Sequence, residues 1–374
     1  MDKTRVENRM SEIRNGRGLK AAELAKRVNI NRATVYAIEA GTYVPNTQLA
    51  LQLARELEVT VDELFSLAGA SPRAPESLTT EVLSASAAPK GQPMRICQVG
   101  ARWVAVPASA TPYFMPQADA ILQASRTRGR ADLIVLADGG TPEKRLTLAG
   151  CDPATSLLSA MVEKASAVEV VAAAASSRLA LQWLKEGKVH IAGSHLEDPK
   201  TGEFNLPFIR KEFSGEQIVA VTFARWEEGF VVATGNPKRV KTVQDLARRG
   251  VRFVNRELGS GSRALLDKLL EKGGIPPASI AGYDRVAFGH LAAAYGVLSG
   301  DVDACLATRS AAQTFGLDFV PLRSARYDLV MRKHTVELPS VQAFLDVLQR
   351  ATLRRKLEVL AGYDTRETGT LLAA

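Results

Sequence analysis

The chain has 374 residues, of which 46% are hydrophobic, and a formal net charge of +8. This length predicts two or three domains rather than a single core. No stretch approaches the roughly 18 apolar residues of a membrane span, and the first residues lack the apolar core of a secretory signal. The three cysteines, Cys97, Cys151 and Cys305, are too widely spaced to predict a disulfide framework or a metal site. Composition therefore predicts a cytoplasmic protein with no membrane partner, no metal and no cofactor, while its positive charge permits a polyanionic partner.

Five short helices are predicted in residues 1–67. Apolar residues recur at helical spacing in 6–14, 20–28, 32–40, 47–57 and 61–67. Asn31 and Thr60 are the predicted N-caps of the third and fifth helices, and Gly41 ends the third. Only residues 29–31 join the second helix to the third, which is the tight connection of a helix-turn-helix.

The residues on both sides of this connection carry a family pattern. They read LAKRVNINRATVYAIEAG at 24–41, followed by Pro45 and by LEVTVDELF at 57–65. This pattern resembles the lambda-repressor-like (XRE) DNA-binding domain, in which the third helix enters the major groove. A helical bundle used for protein contact is the alternative interpretation.

The resemblance implies which side chains contact DNA. Lys20 and Asn31 take positions that contact phosphates in this family. Arg32, Thr34 and Tyr36 take positions at or near base edges, and Arg32 is the best candidate for a bidentate guanine contact. Double-stranded operator DNA is therefore an expected partner.

Two less informative stretches follow the helical domain. Residues 68–93 are rich in Ala, Ser and Pro without a sustained period, and they predict a linker. Residues 94–145 contain strand-like runs at 95–99, 103–106 and 132–136, separated by Pro and Gly. They predict a small β-rich segment, to which the sequence assigns no chemistry.

Strands and helices alternate in residues 146–374, which is the pattern of a doubly wound α/β sheet. A strand, turn and helix at 146–164 are echoed at 251–272, and a helix end, Gly and strand at 183–192 are echoed at 297–306. Two copies of one plan predict two similar lobes with a cleft between them. Ligands of such sheets lie beyond the carboxyl ends of the strands, where helix N-termini converge.

The second copy contains a candidate anion site in the sequence VRFVNRELGSGSRALLDKLLEKGG at 251–274. A predicted strand leads through a Gly/Ser turn into a helix, whose first N–H groups and dipole attract anions. Ser260 and Ser262 add hydroxyl donors, and Arg256 and Arg263 add guanidinium groups. The spacing matches neither a Walker loop, a dinucleotide fingerprint nor a GxSxG nucleophile turn. An ordinary strand–helix turn with a serine cap is the alternative interpretation.

A second family pattern covers most of this region. Its segments are AGCDPA at 149–154, HIAGSHLEDPKTGEFNLP at 190–207, GNP at 235–237, FVNRELGSGSRALLD at 253–267 and LDFVPL at 317–322. They resemble the type 2 periplasmic-binding-protein fold, and within it the soluble domain seen in bacterial regulators and beside molybdenum-cofactor enzymes. The resemblance implies a two-lobed sensor domain over residues 146–374. Members of the wider fold bind molybdate, tungstate, phosphate, amino acids and organic acids.

The candidate ligand-binding residues follow predicted strands or begin predicted helices. Asp152 is either a helix cap or a ligand group, and in the cleft its carboxylate would repel a simple oxyanion. His195 is either a ligand contact or a buried structural histidine. Each arginine of the turn has a competing carboxylate nearby, Glu257 or Asp267. The candidates are Asp152, Thr155, Ser176, Ser177, His195, Asn255, Arg256, Gly259, Ser260, Gly261, Ser262 and Arg263.

The sequence thus predicts an α plus α/β protein in which a DNA-binding head, a linker and a β-rich segment precede a clamshell sensor. The function that fits is a one-component transcription regulator, acting as a homodimer or higher homo-oligomer. Its expected effector is a small anion, with a molybdate- or tungstate-like oxyanion as the leading candidate and a donor-bearing organic metabolite as the alternative. An enzyme acting on a phosphorylated or carboxylated substrate fits less well, because no nucleophile–base pair has a recognisable spacing. A scaffold whose clamshell binds a protein segment is a third interpretation.

Overall fold

The computed structural model describes residues 6–67, 77–108, 115–136 and 144–372. The chain divides into two compact units, Met1–Glu76 and Ser77–Ala374. Within the described ranges, no helix is long and apolar enough to cross a membrane. The division falls inside the predicted linker at 68–93, of which residues 68–76 lie outside the described residues.

The N-terminal unit contains the five predicted helices. It also contains a two-stranded ribbon that the sequence analysis misses. Residues 6–8 form a strand rather than the start of a helix, because their backbone pairs with residues 65–67 and Asn8 Oδ1 accepts from the N–H of Met10 (3.3 Å). The elements are β1 (Val6–Asn8), α1 (Met10–Gly16), α2 (Ala21–Arg27), α3 (Arg32–Glu39), α4 (Thr47–Glu56), α5 (Val61–Leu64) and β2 (Phe65–Leu67).

Local sequence signals fix the helices of this unit. Asn31 Oδ1 accepts from the backbone N–H of Thr34 (2.7 Å), and Thr60 and Glu63 form a capping box, so both predicted caps are confirmed. Gly41 has a φ of +70°, as expected for the residue that ends α3. The apolar stripes of the helices meet in one core, which includes Leu24 and Val35.

The C-terminal unit begins with a closed five-stranded barrel. Its strands are β3 (Ser77–Val82), β4 (Pro93–Val99), β5 (Arg102–Pro107), β6 (Ala120–Ser125) and β7 (Arg130–Val135), in the order β3-β5-β4-β6-β7. The predicted linker is therefore wrong over residues 77–93. The run Ser-Leu-Thr-Thr-Glu-Val is polar enough to look like a linker, but its backbone pairs with β7 and β5, and its Thr80 is buried.

Buried charges join the barrel to the domain that follows it. The Arg145 side chain is buried, and it pairs with Asp119 of the barrel (2.6 Å) and with Glu169 (2.6 Å). Its Nη1 also donates to the carbonyl of Ile96 in β4 (2.6 Å). Because Arg145 and Asp119 are both buried, this charge-assisted contact fixes the barrel against the sensor.

The rest of the unit is a nine-stranded mixed sheet covered by helices, which confirms the predicted two-lobed α/β fold. The strand order is β13-β12-β14-β11-β15-β10-β8-β9, with β16 beside β11. The strands are β8 (Leu146–Gly150), β9 (Val170–Ala174), β10 (Ile191–Ser194), β11 (Ile218–Val232), β12 (Phe253–Arg256), β13 (Val286–Ala287), β14 (Ala304–Thr308), β15 (Asp318–Arg332) and β16 (Leu371–Leu372). The helices are α6 (Thr155–Ser166), α7 (Ser177–Lys185), α8 (Leu206–Glu212), α9 (Gly261–Gly273), α10 (His290–Leu298), α11 (Arg309–Thr314), α12 (Lys333–Val336), α13 (Pro339–Leu348) and α14 (Ala351–Ala361).

Two long strands create the two lobes. β11 and β15 each have 15 residues and pair with each other along their lengths. Strands β8, β9 and β10 extend the sheet beside β15 and form lobe one, whereas β12, β13 and β14 extend it beside β11 and form lobe two. The carboxyl ends of β8, β10 and β12 therefore face the cleft between the lobes, where a ligand site is expected.

Candidate functional site

Three side chains that are distant in the sequence meet in the cleft. Cys151 follows β8, His195 follows β10 and His290 begins α10. The Cys151 Sγ lies 3.4 Å from His195 Nε2 and 3.8 Å from His290 Nε2. His195 is 0% exposed and His290 1% exposed, and Cys151 is partly exposed. The cluster combines residues from both lobes, since α10 belongs to lobe two.

Aromatic rings surround the cluster. Trp226 of β11 lies with its ring centroid 5.3 Å from that of His195 and 5.8 Å from that of His290. The ring centroid of Tyr327 in β15 lies 4.8 Å from that of Trp226 and 6.1 Å from that of His195. The backbone of Gly261 approaches so closely that a Cβ there would lie 2.6 Å from His195 Nδ1. The histidine is therefore held between lobe one and the first turn of α9.

Buried ion pairs flank the cluster. Glu228, which is fully buried, pairs with Arg323 (2.6 Å) and accepts from the hydroxyl of Ser262 (2.6 Å). Burial raises the pKa of the Glu228 carboxyl, but the charge of Arg323 and the hydrogen bonds from Arg323 and Ser262 outweigh that effect and hold the pKa below its ordinary value. Arg256 donates two hydrogen bonds to Glu257, both at 2.9 Å.

Several buried polar atoms around the cluster have no hydrogen-bond partner among the described residues. Burial lowers the pKa of His195 to about 4, so its ring is neutral at pH 7 and its Nδ1, 3.6 Å from Glu228 Oε1, makes no ion pair. An unpaired buried polar atom costs about 1–3 kcal/mol, so a site that keeps several is arranged for something else to bind. They include Asp152 Oδ2, His195 Nδ1, Trp226 Nε1, Arg256 Nη1, His290 Nδ1 and Tyr327 Oη.

Asp152 combines the two roles that the sequence leaves open. Its Oδ1 accepts from the N–H of Ala154 (2.6 Å), which precedes α6, and from the hydroxyl of Tyr363 (3.0 Å). Its Oδ2 has no hydrogen-bond partner within the described part of the chain. Burial raises the pKa of this carboxyl to about 7. The side chain therefore ties down the turn with one oxygen and leaves the other available.

Most polar groups of the predicted Gly/Ser turn are already hydrogen-bonded or ion-paired within the protein. The Ser260 hydroxyl accepts from the N–H of Arg263 (3.2 Å) and donates to the carbonyl of Glu257 (2.8 Å). Ser262 donates to Glu228, and Arg263 pairs with Asp267 (3.2 Å). Both arginines of the turn thus have the carboxylate partners that the sequence offers as alternatives.

The other predicted residues lie at the edges of the same cleft. Ser176 caps α7, and the Ser177 hydroxyl accepts from the N–H of His195 (3.2 Å). Asn255 is buried and donates to the carbonyl of Tyr283 (3.1 Å). The carbonyl of Gly259 accepts from the N–H of Arg178 in α7 (3.3 Å), so the two lobes are in contact and the cleft is closed.

A cavity of about 700 Å³ reaches the cluster from outside. It lies between the barrel, lobe one and the start of α10. Its lining includes Arg95, Cys151, Asp152, Thr155, Phe288 and His290.

Sequence reasoning misses Cys151, His290, Glu228 and Trp226. Cys151 lies 44 residues from His195 and 139 residues from His290, so no spacing rule connects them. The one available signal is that Cys151 follows a predicted strand at the cleft end, as His195 does.

Four of the five predicted DNA-contacting residues of the helix-turn-helix are exposed. Lys20, Asn31, Arg32 and Tyr36 are exposed, whereas Val35 and Ile38 on the opposite side of α3 are buried. Helix α3 thus exposes polar side chains to solvent, while its buried apolar side chains pack in the core. The remaining predicted contact, Thr34, is half-buried and donates to Asn31 Oδ1 (2.8 Å).

Comparisons with known proteins agree with this architecture. The profile described as PBP superfamily domain matches residues 158–349, and the profile described as Helix-turn-helix matches residues 10–64. The chain is 33% identical over 225 residues to the uncharacterized protein YvgK of Bacillus subtilis, covering 60% of this chain and 72% of that protein. An uncharacterized HTH-type transcriptional regulator of Archaeoglobus fulgidus is 35% identical over 60 residues, which are 16% of this chain and 86% of that regulator.

Among solved structures, a phosphate-bound, putative phosphate ABC transporter substrate-binding protein from Clostridium perfringens superposes with a TM-score of 0.45 and 14% identity. The superposition covers 59% of this chain and 98% of that protein. The bound phosphate is a property of that protein. This chain belongs to the PBP superfamily, whose domain matches residues 158–349, and it carries a helix-turn-helix domain N-terminal to them.

Proposed function

We propose that this protein is a ligand-responsive transcription regulator. Its helix-turn-helix binds operator DNA, and the cleft of its two-lobed domain binds a small anionic effector. The observation that carries the proposal is a closed cleft with unpaired buried polar atoms, in a chain that also has an exposed polar recognition helix. Effector binding favours one state of the clamshell, and the resulting population shift changes DNA affinity.

The exposed face of α3 supports the DNA-binding half of the proposal. The Arg32 guanidinium lies over the Tyr36 ring (5.2 Å to the centroid) and donates to its hydroxyl (2.8 Å). Because both side chains are exposed, Arg32 can exchange this contact for the O6 and N7 atoms of a guanine. Two heads of a homodimer then read a two-fold-related site, since one head of this size binds DNA weakly.

The unpaired atoms of the cleft support an anionic effector, with a molybdate- or tungstate-like oxyanion as the leading candidate. Arg256 Nη1 and Trp226 Nε1 are donors that find no partner among the residues the structure describes, and Arg256 is charged. Near pH 7 the Asp152 carboxyl is partly protonated, so it donates to an anion rather than repelling it. If Asp152 is ionised, the same Oδ2 instead favours an organic metabolite that brings its own N–H or O–H.

A binding experiment on the full chain tests the proposal. A duplex selected from a random library serves as the operator, and fluorescence anisotropy follows binding with and without molybdate, tungstate, phosphate or organic acids. We expect DNA affinity to fall steeply with salt and one of these compounds to change it. Calorimetry on the same preparation identifies which compound binds.

Substitutions in α3 test the DNA assignment separately. Arg32→Ala should cost about 1–3 kcal/mol on the selected site and relax preference at one base position. Arg17→Ala is the control, because Arg17 lies outside α2 and α3 and pairs with Glu58. If Arg32→Ala keeps the wild-type ratio between selected and scrambled DNA, Arg32 does not read the operator. If none of the compounds alters DNA affinity, the ligand-responsive function is wrong.

A further inference from the structure

We infer that Cys151, His195 and His290 form a binding site for a transition-metal ion of the zinc class. This inference goes beyond the proposed function and does not depend on it. One candidate ligand atom from each of the three residues lies within 4.8 Å of the other two. A tetrahedral zinc with Zn–S near 2.3 Å and Zn–N near 2.0–2.1 Å separates sulfur from nitrogen by about 3.6 Å. The two sulfur–nitrogen distances here, 3.4 and 3.8 Å, bracket that value.

The surroundings of the histidines provide the second observation. Both rings turn Nε2 toward the thiol, and the Nδ1 atoms of both are buried without a hydrogen-bond partner among the described residues. Glu228 Oε1 lies 3.6 Å from His195 Nδ1. A carboxylate behind a metal-bound histidine fixes its tautomer and orientation, and Glu228 is itself held by Ser262 and Arg323.

The donor set selects the class of ion. One thiolate and two imidazoles suit zinc and similar ions, whereas magnesium and calcium require oxygen ligands. The nearby carboxylates of Glu228 and Glu257 are engaged by Arg323 and Arg256, so they supply no oxygen-rich cage. Three protein ligands leave a fourth position, as in zinc sites that bind water or a small molecule.

The position of the site gives it a consequence for the domain. Cys151 and His195 belong to lobe one and His290 to lobe two, so a bound ion links the lobes and stabilises the closed cleft. Cys151 and His290 also line the 700 Å³ cavity, so the fourth position of the ion can be reached from that side.

Spectroscopic titration of the full chain with Co²⁺ tests the site. The protein is first freed of metal with a chelator and kept reduced. We expect one Co²⁺ per chain with the visible bands of tetrahedral cobalt and a thiolate-to-cobalt charge-transfer band in the near ultraviolet. Zn²⁺ should displace the cobalt and raise the melting temperature of the protein, because it binds only the folded form. Mg²⁺ and Ca²⁺ should do neither.

Matched variants assign the ligands. Cys151→Ala and His290→Gln should each lose the cobalt bands and weaken Zn²⁺ binding by more than about 100-fold, the upper end for loss of an outer-shell partner. Cys305→Ala and His334→Gln, which alter a buried cysteine and a histidine outside the cluster, should retain one Co²⁺ per chain. Circular dichroism shows that each variant is folded, and His290→Gln decides the question if Cys151→Ala unfolds.

Either of two results would overturn the inference. One is no cobalt charge-transfer band in the reduced wild-type protein, and the other is an unchanged band in folded Cys151→Ala or His290→Gln. DNA affinity measured on the same samples keeps the two proposals separate. Operator binding that responds to an anion while cobalt fails to bind would reject the metal site and leave the regulator function standing.

Discussion

Two strand–turn–helix segments of the sensor share one plan but treat their polar groups differently. In the segment β12–α9, the serine hydroxyls cap the helix or donate to Glu228, and both arginines pair with carboxylates. In the segment β8–α6, Asp152 keeps a buried oxygen that is unpaired within the described ranges, and Cys151 faces two histidines. The turn between β12 and α9 has the sequence that more clearly predicts anion binding. Its polar groups are nevertheless the ones that are mostly bonded within the protein.

This difference shows that donor-rich composition does not by itself locate a binding site. A Gly/Ser turn with arginines can hold an anion, but the same groups also bind the carboxylates of their own domain. The atoms left unpaired after this internal bonding are the better guide, because burying them without a partner costs free energy. By that criterion the chemistry of the cleft lies nearer to Cys151 and Asp152, with Arg256 Nη1 as the contribution from the second turn.

The largest predicted effect is a loss of stability from a substitution in the turn between β12 and α9. Arg256→Met should lower the free energy of unfolding by about 3–5 kcal/mol, because it leaves Glu257 buried without its partner. Urea unfolding followed by tryptophan fluorescence measures this, since all three tryptophans lie in the C-terminal unit. Arg263→Met is the matched control and should cost about 1 kcal/mol, because the side chain of its partner Asp267 is 43% exposed and stays solvated when the pair is lost. Equal losses for the two variants would mean that Arg256 is not the buried structural charge.

A second prediction concerns the close contact between Gly150, at the end of β8, and the Tyr327 side chain. A Cβ on Gly150 would lie 2.2 Å from the Tyr327 hydroxyl oxygen but 3.5 Å from the nearest ring carbon. Gly150→Ala should therefore destabilise the protein by about 1–3 kcal/mol through overpacking. Thermal or urea unfolding checks this value.

The rescue of that variant makes the prediction specific. Tyr327→Phe removes the clashing oxygen, so most of the loss should disappear when Gly150→Ala is made in that background. If the two changes are simply additive, then contact with the hydroxyl is not what requires glycine at position 150.

The sequence predicts the local features of this protein better than its site. Asn31 and Thr60 cap helices because capping depends on residues three positions apart, and the apolar stripes of α3 and α4 are equally local. Strand β3 was beyond sequence reasoning because Ser77–Val82 is mostly polar and is held by backbone pairing with β5 and β7. The cluster of Cys151, His195 and His290 depends on strand order, which brings three distant parts of the chain to one edge of the sheet.

A third prediction separates two roles of Ser260. Its hydroxyl caps α9 and donates to a backbone carbonyl, so Ser260→Ala should lower the free energy of unfolding by about 1 kcal/mol. Ser299→Ala, which removes an exposed hydroxyl bonded to the carbonyl of Gly296, should stay within about 0.5 kcal/mol of the wild type. Calorimetry with the oxyanion that binds the wild type should give an unchanged affinity for Ser260→Ala. A loss of roughly 1.5–3 kcal/mol in binding would instead restore this hydroxyl as a ligand donor.

The last prediction concerns the pH dependence of the turn before α6. Burial raises the pKa of Asp152 to about 7, so between its unfolded value and pH 7 the native state binds more protons than the unfolded state. The free energy of unfolding that this group contributes is therefore largest at low pH and falls as the pH rises through 7. The part of this fall that lies between pH 6 and 8 is about 1 kcal/mol. Asp152→Asn should remove this loss, which urea unfolding at pH 6, 7 and 8 measures. His195, whose pKa is lowered to about 4, has the opposite effect, but only below about pH 6.5, and the comparison with Asp152→Asn cancels it.

Anion affinity should follow the same titration. If Asp152 donates its proton to an oxyanion, the wild type loses affinity above pH 7 while Asp152→Asn keeps it, because the amide still donates and carries no charge. A donor-bearing metabolite predicts the reverse, since an ionised Asp152 is its better acceptor and Asp152→Asn abolishes binding. A stability difference between wild type and Asp152→Asn that is flat from pH 6 to 8 would show that the carboxyl is already ionised, and the unpaired oxygen would then mark an acceptor rather than a donor.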